Sequence, residues 1–158
     1  MKQFLMLIAG LLITQLLYSD PAVSSPNFAL QCLVSCSDGT KAEAAVDGNR
    51  EGRQFWETPL PPGSSPWLEL DLGEIQTISK LHLFLWWGSD KRYYQYYIEV
   101  SSDRKEWRTV VDQRKNTIPT DARGCEFNIP KQAVRFVRLT LTFCSVNNSG
   151  HVRELEVY

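Results

Sequence analysis

Residues 66–107 read PWLELDLGEIQTISKLHLFLWWGSDKRYYQYYIEVSSDRKEW, and their alternation decides the fold. Successive side chains of a strand point to opposite faces, so a period of two separates a core-facing set from an outward set. Leu68, Leu70 and Leu72 share one face, with Trp67, Glu69 and Asp71 on the other. Leu81, Leu83 and Leu85 form a second such set against His82, Phe84 and Trp86. Tyr94, Tyr96, Ile98 and Val100 form a third, alternating with Tyr93, Gln95, Tyr97 and Glu99. Six of the chain's 18 aromatic residues fall between Trp86 and Tyr97, where Gly88, Ser89, Asp90, Lys91 and Arg92 make a polar turn between two strands. That turn is the first place to look for a ligand.

Working outward, residues 107–111 read as a short strand and 112–124 as a polar loop. Residues 125–129, 133–143 and 152–158 alternate again, with Val134 and Phe136 opposing Val137, Leu139 and Leu141. Toward the other end, a strand around residues 28–35 precedes a Ser-Asp-Gly turn, and the Ala-rich residues 41–46 are too few for an independent helix. Residues 47–66 are punctuated by Gly48, Gly52, Gly63 and four prolines, and form the longest irregular stretch; long loops in compact domains are often functional. No stretch sustains a helical period over about twelve residues. About eight short strands joined by turns predict an all-β, antiparallel sandwich, of which the jelly roll is one form.

The chain opens with Met1 and Lys2, an apolar run over residues 4–13, and small residues at Ala22, Val23 and Ser24. A basic end, a short apolar core and a small-residue site describe a secretory signal peptide over residues 1–24, with cleavage after Ser24 and Ser19 as the rival position. The apolar run is too short for the roughly 20 residues that span a bilayer, and no second one follows, so the mature chain carries no expected transmembrane segment. The protein is expected to be secreted or extracellular, periplasmic or in the cell envelope if its source is bacterial. Processing removes Lys2 and Asp20 and leaves the net charge at −1. With basic residues scattered rather than clustered, nucleic acid is not an expected partner. Residues 26–158 suit a single domain.

Cys32, Cys36, Cys125 and Cys144 all lie in the mature chain, and two disulfides are possible in any of three pairings. A zinc site needs paired short spacings, which only Cys32 and Cys36 approach. Nucleophilic catalysis needs a base beside a Ser or Cys. The histidines are His82, in a strand, and His151, read as a loop residue, and the 18 acidic side chains single out no pair for glycosidase chemistry. No enzymatic activity is expected, a small glycan-acting enzyme being the least favoured reading.

Six pieces in order together resemble the coagulation factor 5/8 type C, or discoidin, family, which includes family 32 carbohydrate-binding modules. They are Asn27-Phe28-Ala29-Leu30; Ala45-Val46-Asp47-Gly48-Asn49 followed by Phe55-Trp56; Trp67-Leu68-Glu69-Leu70-Asp71-Leu72-Gly73; Tyr97-Ile98-Glu99-Val100-Ser101-Ser102-Asp103 with Trp107; Val134-Arg135-Phe136-Val137-Arg138-Leu139; and Arg153-Glu154-Leu155-Glu156-Val157-Tyr158. The resemblance implies an eight-stranded jelly-roll sandwich with adjacent ends, binding loops at one end and no catalysis of its own. From the adjacent ends it also implies a Cys36–Cys144 disulfide.

The resemblance further implies a structural Ca2+ site, held by the side chains of Asp47 and Glu154 and the carbonyls of Ala44, Asn49 and Arg153. Hard cations take six to eight oxygens, backbone carbonyls included. The chain departs from the family where a Thr or Ser often precedes the Trp by two residues; here Gln54 stands there, and the carbonyl of Gly52 or Gln54 is the substitute. The simpler reading makes Asp47 a turn cap and Glu154 a strand-face residue.

Sugar recognition asks for an aromatic face and a few polar groups. On the loops where family 32 modules place these, the candidates are Trp56 and Glu57; Trp87, Asp90, Arg92 and Tyr93; and Asn147, Asn148 and His151. The competing expectations are that Trp56 packs in the core, that Trp87 continues the buried parity of Leu81, Leu83 and Leu85 while Trp86 is exposed, and that Arg92 and Asp90 form an ordinary surface pair. Asn147-Asn148-Ser149 also matches a glycosylation sequon, which matters only in a eukaryotic source. Expected partners are a glycan or glycoconjugate; the alternative is an adhesion module binding a cell-surface protein or phospholipid headgroup, with Leu60, Phe55 and Trp56 as its apolar loop residues.

Overall fold

A computed structural model describes residues 25–158. The signal peptide expected over residues 1–24 lies outside the described residues. Seven strands, β1 (Leu33–Cys36), β2 (Trp56–Pro59), β3 (Trp67–Leu85), β4 (Tyr94–Ser101), β5 (Arg108–Asp112), β6 (Cys125–Cys144) and β7 (Ser149–Val157), pair antiparallel throughout, and a 3-10 helix covers Ala42–Val46.

The all-β antiparallel fold is as the alternation predicts, with seven strands in place of eight. Two expected strand pairs fuse into the long β3 and β6, and β2 adds a strand inside the proline-rich stretch. The first half of β3 lies between β1 and the second half of β6, beyond which come β4 and β5. Its second half lies between the first half of β6 and β7, beyond which comes β2. Each long strand therefore serves both layers of the sandwich.

The fusion keeps the predicted faces because the ladder slips. Ser79 and Lys80 both donate their N–H to the Tyr158 carbonyl, at 2.6 and 2.9 Å. Two donors on one acceptor make a bulge, which inverts side-chain parity. Leu68 and Leu70 before it, and Leu81 and Leu83 after it, all enter one core with Ile98, Val100, Leu139 and Leu155. The outward Glu69 and Asp71 are covered rather than solvated, because Arg138 and Arg104 pair with Glu69 (2.7 and 2.8 Å) and Arg135 pairs with Asp71 (2.8 Å).

The strand expected over residues 28–35 is shorter. Asn27 folds the chain back with hydrogen bonds to Ala29 and Leu30, and Gln31 takes φ 57°, so β1 begins only at Leu33. Asn27 Oδ1 also accepts the Val157 N–H at 3.0 Å, and Phe28 N–H reaches the Val157 carbonyl at 2.9 Å. The two ends of the domain thus lie side by side. All four cysteines are free thiols, so Cys36 and Cys144 are not joined. Cys36 pairs with Leu68 at the end of β1, while the buried Cys144 thiol turns to the Asn147 side chain at 3.4 Å.

Candidate ligand-binding site

β3 ends at Leu85, and the chain turns through residues 86–92 into β4. Thr120 clasps this turn: its hydroxyl donates to the Trp86 carbonyl at 2.8 Å and its N–H to the Arg92 carbonyl at 2.9 Å. The strand parity stops before Trp87, whose side chain stands 37% exposed, while Trp86 is half-buried. Trp86 packs edge-on against Phe55 (5.2 Å between ring centres), and Phe55 in turn against His151 (5.3 Å).

A polar chain runs beneath these rings. The Asp90 carboxylate accepts from Arg92 Nε at 2.9 Å and from its Nη2. Arg92 Nη1 reaches the Tyr94 hydroxyl at 3.4 Å, and that hydroxyl lies 3.0 Å from His151 Nδ1. Because a guanidinium only donates, the Tyr94 oxygen accepts from Arg92, and its own O–H donates to Nδ1. The neutral imidazole then carries its proton on Nε2, which faces Glu57 Oε1 at 3.8 Å. The ionisation states agree. Burial, and then the charge of Arg92, hold His151 below its ordinary value; burial pushes Tyr94 up; and the Asp90 carboxylate raises Arg92. Every polar group in this chain is oriented by its neighbour. Tyr94, Arg92 and His151 are buried, and the chain reaches solvent at its two ends, the carboxylates of Asp90 and Glu57.

The predicted residues divide. Asp90, Arg92, Glu57 and His151 are linked through Tyr94, and Trp87 shares the turn that bears Asp90 and Arg92. His151 belongs to β7 and not to a loop, because β2 extends the last strand and pairs Glu57 with His151 and Trp56 with Val152. Trp56 is a correction: it is 0% exposed, with its indole N–H on the Asp38 carbonyl at 3.1 Å. Tyr93 alternates away from Tyr94 and packs on Phe143, at 5.9 Å, with its N–H on Ser145. The Asn147 side chain is absorbed by its own turn. Asn148 is exposed and lines, with Asp38, Thr40, Glu57, Pro59 and Ser149 among others, a groove of about 420 Å³. Glu57 is common to the groove and the aromatic site. The apolar-spike reading loses its base, since Leu60 is 3% exposed and Trp56 is buried. Sequence reasoning passed over Tyr94 and the Arg153 side chain and named Phe55 only as an apolar loop residue; Tyr94, placed in the core by its parity, had left a readable signal.

Of the residues expected to hold a metal, Asp47 and Glu154 come together. The 3-10 helix ends at Asp47, and Gly48 N–H is shared by both Glu154 carboxylate oxygens at 3.2 Å. Glu154 is fully buried; burial chiefly, with Asp47 and Glu156 adding, pushes its carboxyl up to about 8. The register of β3 with β7 passes from Phe84–Glu154 to Leu85–Val152, so Arg153 has no partner across that ladder. A buried carboxylate with a single donor, a second carboxylate beside it and an unpaired backbone position fit a hard cation. The Gly52 carbonyl accepts a hydrogen bond from Arg153 Nη1 at 2.7 Å. No cluster of three or more His, Cys, Asp or Glu side chains occurs among the described residues, so backbone oxygens would supply most ligands.

Residues 26–155 match the F5/8 type C domain. Among solved structures, the chain is similar to chitosan-binding module 2, in complex with chitotriose, of a chitosanase/glucanase from Paenibacillus sp. IK-5: 27% identity, TM-score 0.67, 84% of this chain and 99% of that one. It is also similar to a family 89 glycoside hydrolase from Clostridium perfringens (21%, TM-score 0.69), of which it covers 14% while 84% of this chain is matched. The BTB/POZ domain-containing protein 9 of Bos taurus is 26% identical over 122 residues, 75% of this chain and 19% of the larger protein. A match over most of the described chain, on the fold its alternation predicts, makes this chain a member of the F5/8 type C domain family.

Proposed function

We propose that the protein is a secreted, non-catalytic carbohydrate-binding module. The observation that carries this reading is the exposed Trp87 indole on the turn that also bears Asp90 and Arg92, whose side chains are tied through Tyr94 and His151 toward Glu57. An indole face takes up the apolar side of a pyranose, and fixed donors and acceptors around it select hydroxyl positions. The module similar to this chain that is complexed with chitotriose supports the ligand class. Asp90 and Glu57 keep carboxylate oxygens at the rim as acceptors for sugar hydroxyls, and Arg92, tied between Asp90 and Tyr94, offers its remaining N–H.

Ca2+ at Asp47 and Glu154, with the carbonyls of Ala44, Asn49 and Arg153, has a structural role in this reading: when bound it supplies the positive charge that the buried Glu154 lacks. Asp47 and Glu154 then tie the long loop to β7. Binding of the mature protein to a panel of oligosaccharides, with Trp87→Ala beside it, tests the proposal. Binding only to anionic vesicles would favour a membrane-surface module, and glycan hydrolysis would revive an enzyme.

A further inference from the structure

Arg153 is a buried cation that the fold leaves without a counterion. It is 7% exposed, yet no carboxylate lies within 4 Å of it among the described residues, whereas Arg92, equally buried, pairs with Asp90. Its guanidinium lies 4.6 Å from the centre of the Trp86 ring and 5.8 Å from that of Trp87. Nη1 is used by the Gly52 carbonyl, Nε is buried with no partner, and Nη2 makes no hydrogen bond among the described residues.

The contrast with the other arginines is specific to one edge. Arg50, Arg135 and Arg138 each turn the Nε/Nη2 side of the guanidinium onto a carboxylate, of Glu156, Asp71 and Glu69 respectively. This is the edge that grips a planar carboxylate with two parallel bonds. In Arg153 the same edge is bare. Burying a charge without a partner costs stability that a Met or Leu under the same indoles would not cost, and stacking on two rings offsets only part of it. The neighbouring carboxylates do not fill the gap: Asp90 is committed to Arg92, Glu57 faces His151, and the exposed Glu51 acts on Arg153 only at long range.

Resting on the carbohydrate reading above, we infer that Arg153 receives the carboxylate of a uronic acid unit, whose ring lies on Trp87. The contact is made first at Nη2, because Nε is closed off from solvent, and the loop bearing Gly52 yields to complete the side-on pair. The ligand class is thereby narrowed to acidic glycans.

The test is calorimetric titration of the full chain with trigalacturonate, with its carboxyl-reduced neutral counterpart and with a sulfated trisaccharide, repeated on Arg153→Met, Arg153→Lys and Glu51→Gln. The expected result is at least about tenfold tighter binding of trigalacturonate than of the neutral trisaccharide. Arg153→Met abolishes that preference while neutral binding persists, Arg153→Lys keeps part of it, and Glu51→Gln increases it. Equal affinity for acidic and neutral sugars, or a preference for the sulfated one, would overturn the uronate inference and leave the carbohydrate reading standing. Binding of none of the three, alongside no binding to a wider glycan panel, would overturn both.

Discussion

The Tyr94 hydroxyl sits 3.0 Å from His151 Nδ1, joining the start of β4 to the start of β7 across 57 residues of sequence. This contact holds the polar chain in one direction: Arg92 donates to Tyr94, Tyr94 to His151, and His151 toward Glu57. Tyr94→Phe keeps the buried ring and removes the link. It is expected to cost about 1–2 kcal/mol of stability, the worth of a buried hydrogen bond with one partner stranded, and to weaken glycan binding. Urea denaturation beside ligand titration checks both.

Trp56 and Trp87 are predicted to behave in opposite ways. Trp56→Ala empties a fully enclosed core position and should lose about 3–5 kcal/mol, enough to threaten folding. Trp87→Ala should leave the melting temperature unchanged and weaken glycan binding at least about tenfold, since a tenfold change needs only about 1.4 kcal/mol. Thermal melts of the two variants separate the structural indole from the functional one.

Asp71 makes the fold acid-sensitive. The Arg135 guanidinium, above all, holds its carboxyl below the ordinary 3.8, against the opposing effect of burial. A carboxyl depressed in the folded state contributes stability that is present above its unfolded pKa and lost as pH falls through the folded one. The stability gap between wild type and Asp71→Asn should therefore be widest near neutrality and close as the pH drops below about 4. Denaturant midpoints across that range provide the measurement.

Calcium should raise the melting temperature of the wild type by several degrees: about a hundredfold excess over the dissociation constant stabilises by about 2.7 kcal/mol. Glu154→Gln should abolish the shift. Identical melts with calcium and with chelator would remove the metal from the account.

Much of the fold was legible because a two-residue period is a local signal. Leu68, Leu81 and Ile98 announce their faces through immediate neighbours. The fusion of strands into β3 and β6 was not legible, since the bulge at Ser79 depends on the Tyr158 carbonyl, which arrives from the far end of the chain. β2 was missed for a similar reason: Trp-Glu-Thr-Pro is too short to show a period and is strand only because β7 pairs with it. At the site, the turn bearing Trp87, Asp90 and Arg92 stood out by composition. The burial of Trp56 stood beside its ligand reading as a competing expectation, and the bare edge of Arg153 left no signal, because it depends on what the rest of the fold fails to bring against it.

The central claim is that the end of the sandwich bearing Trp87 binds glycan. Its most direct test is a calorimetric titration of the mature protein with the tightest-binding oligosaccharide from a glycan panel, run in parallel with Trp87→Ala of unchanged melting temperature. The account predicts saturable binding by the wild type and a loss of at least about tenfold in the variant. An unchanged affinity in Trp87→Ala, or no glycan bound at all, would contradict it.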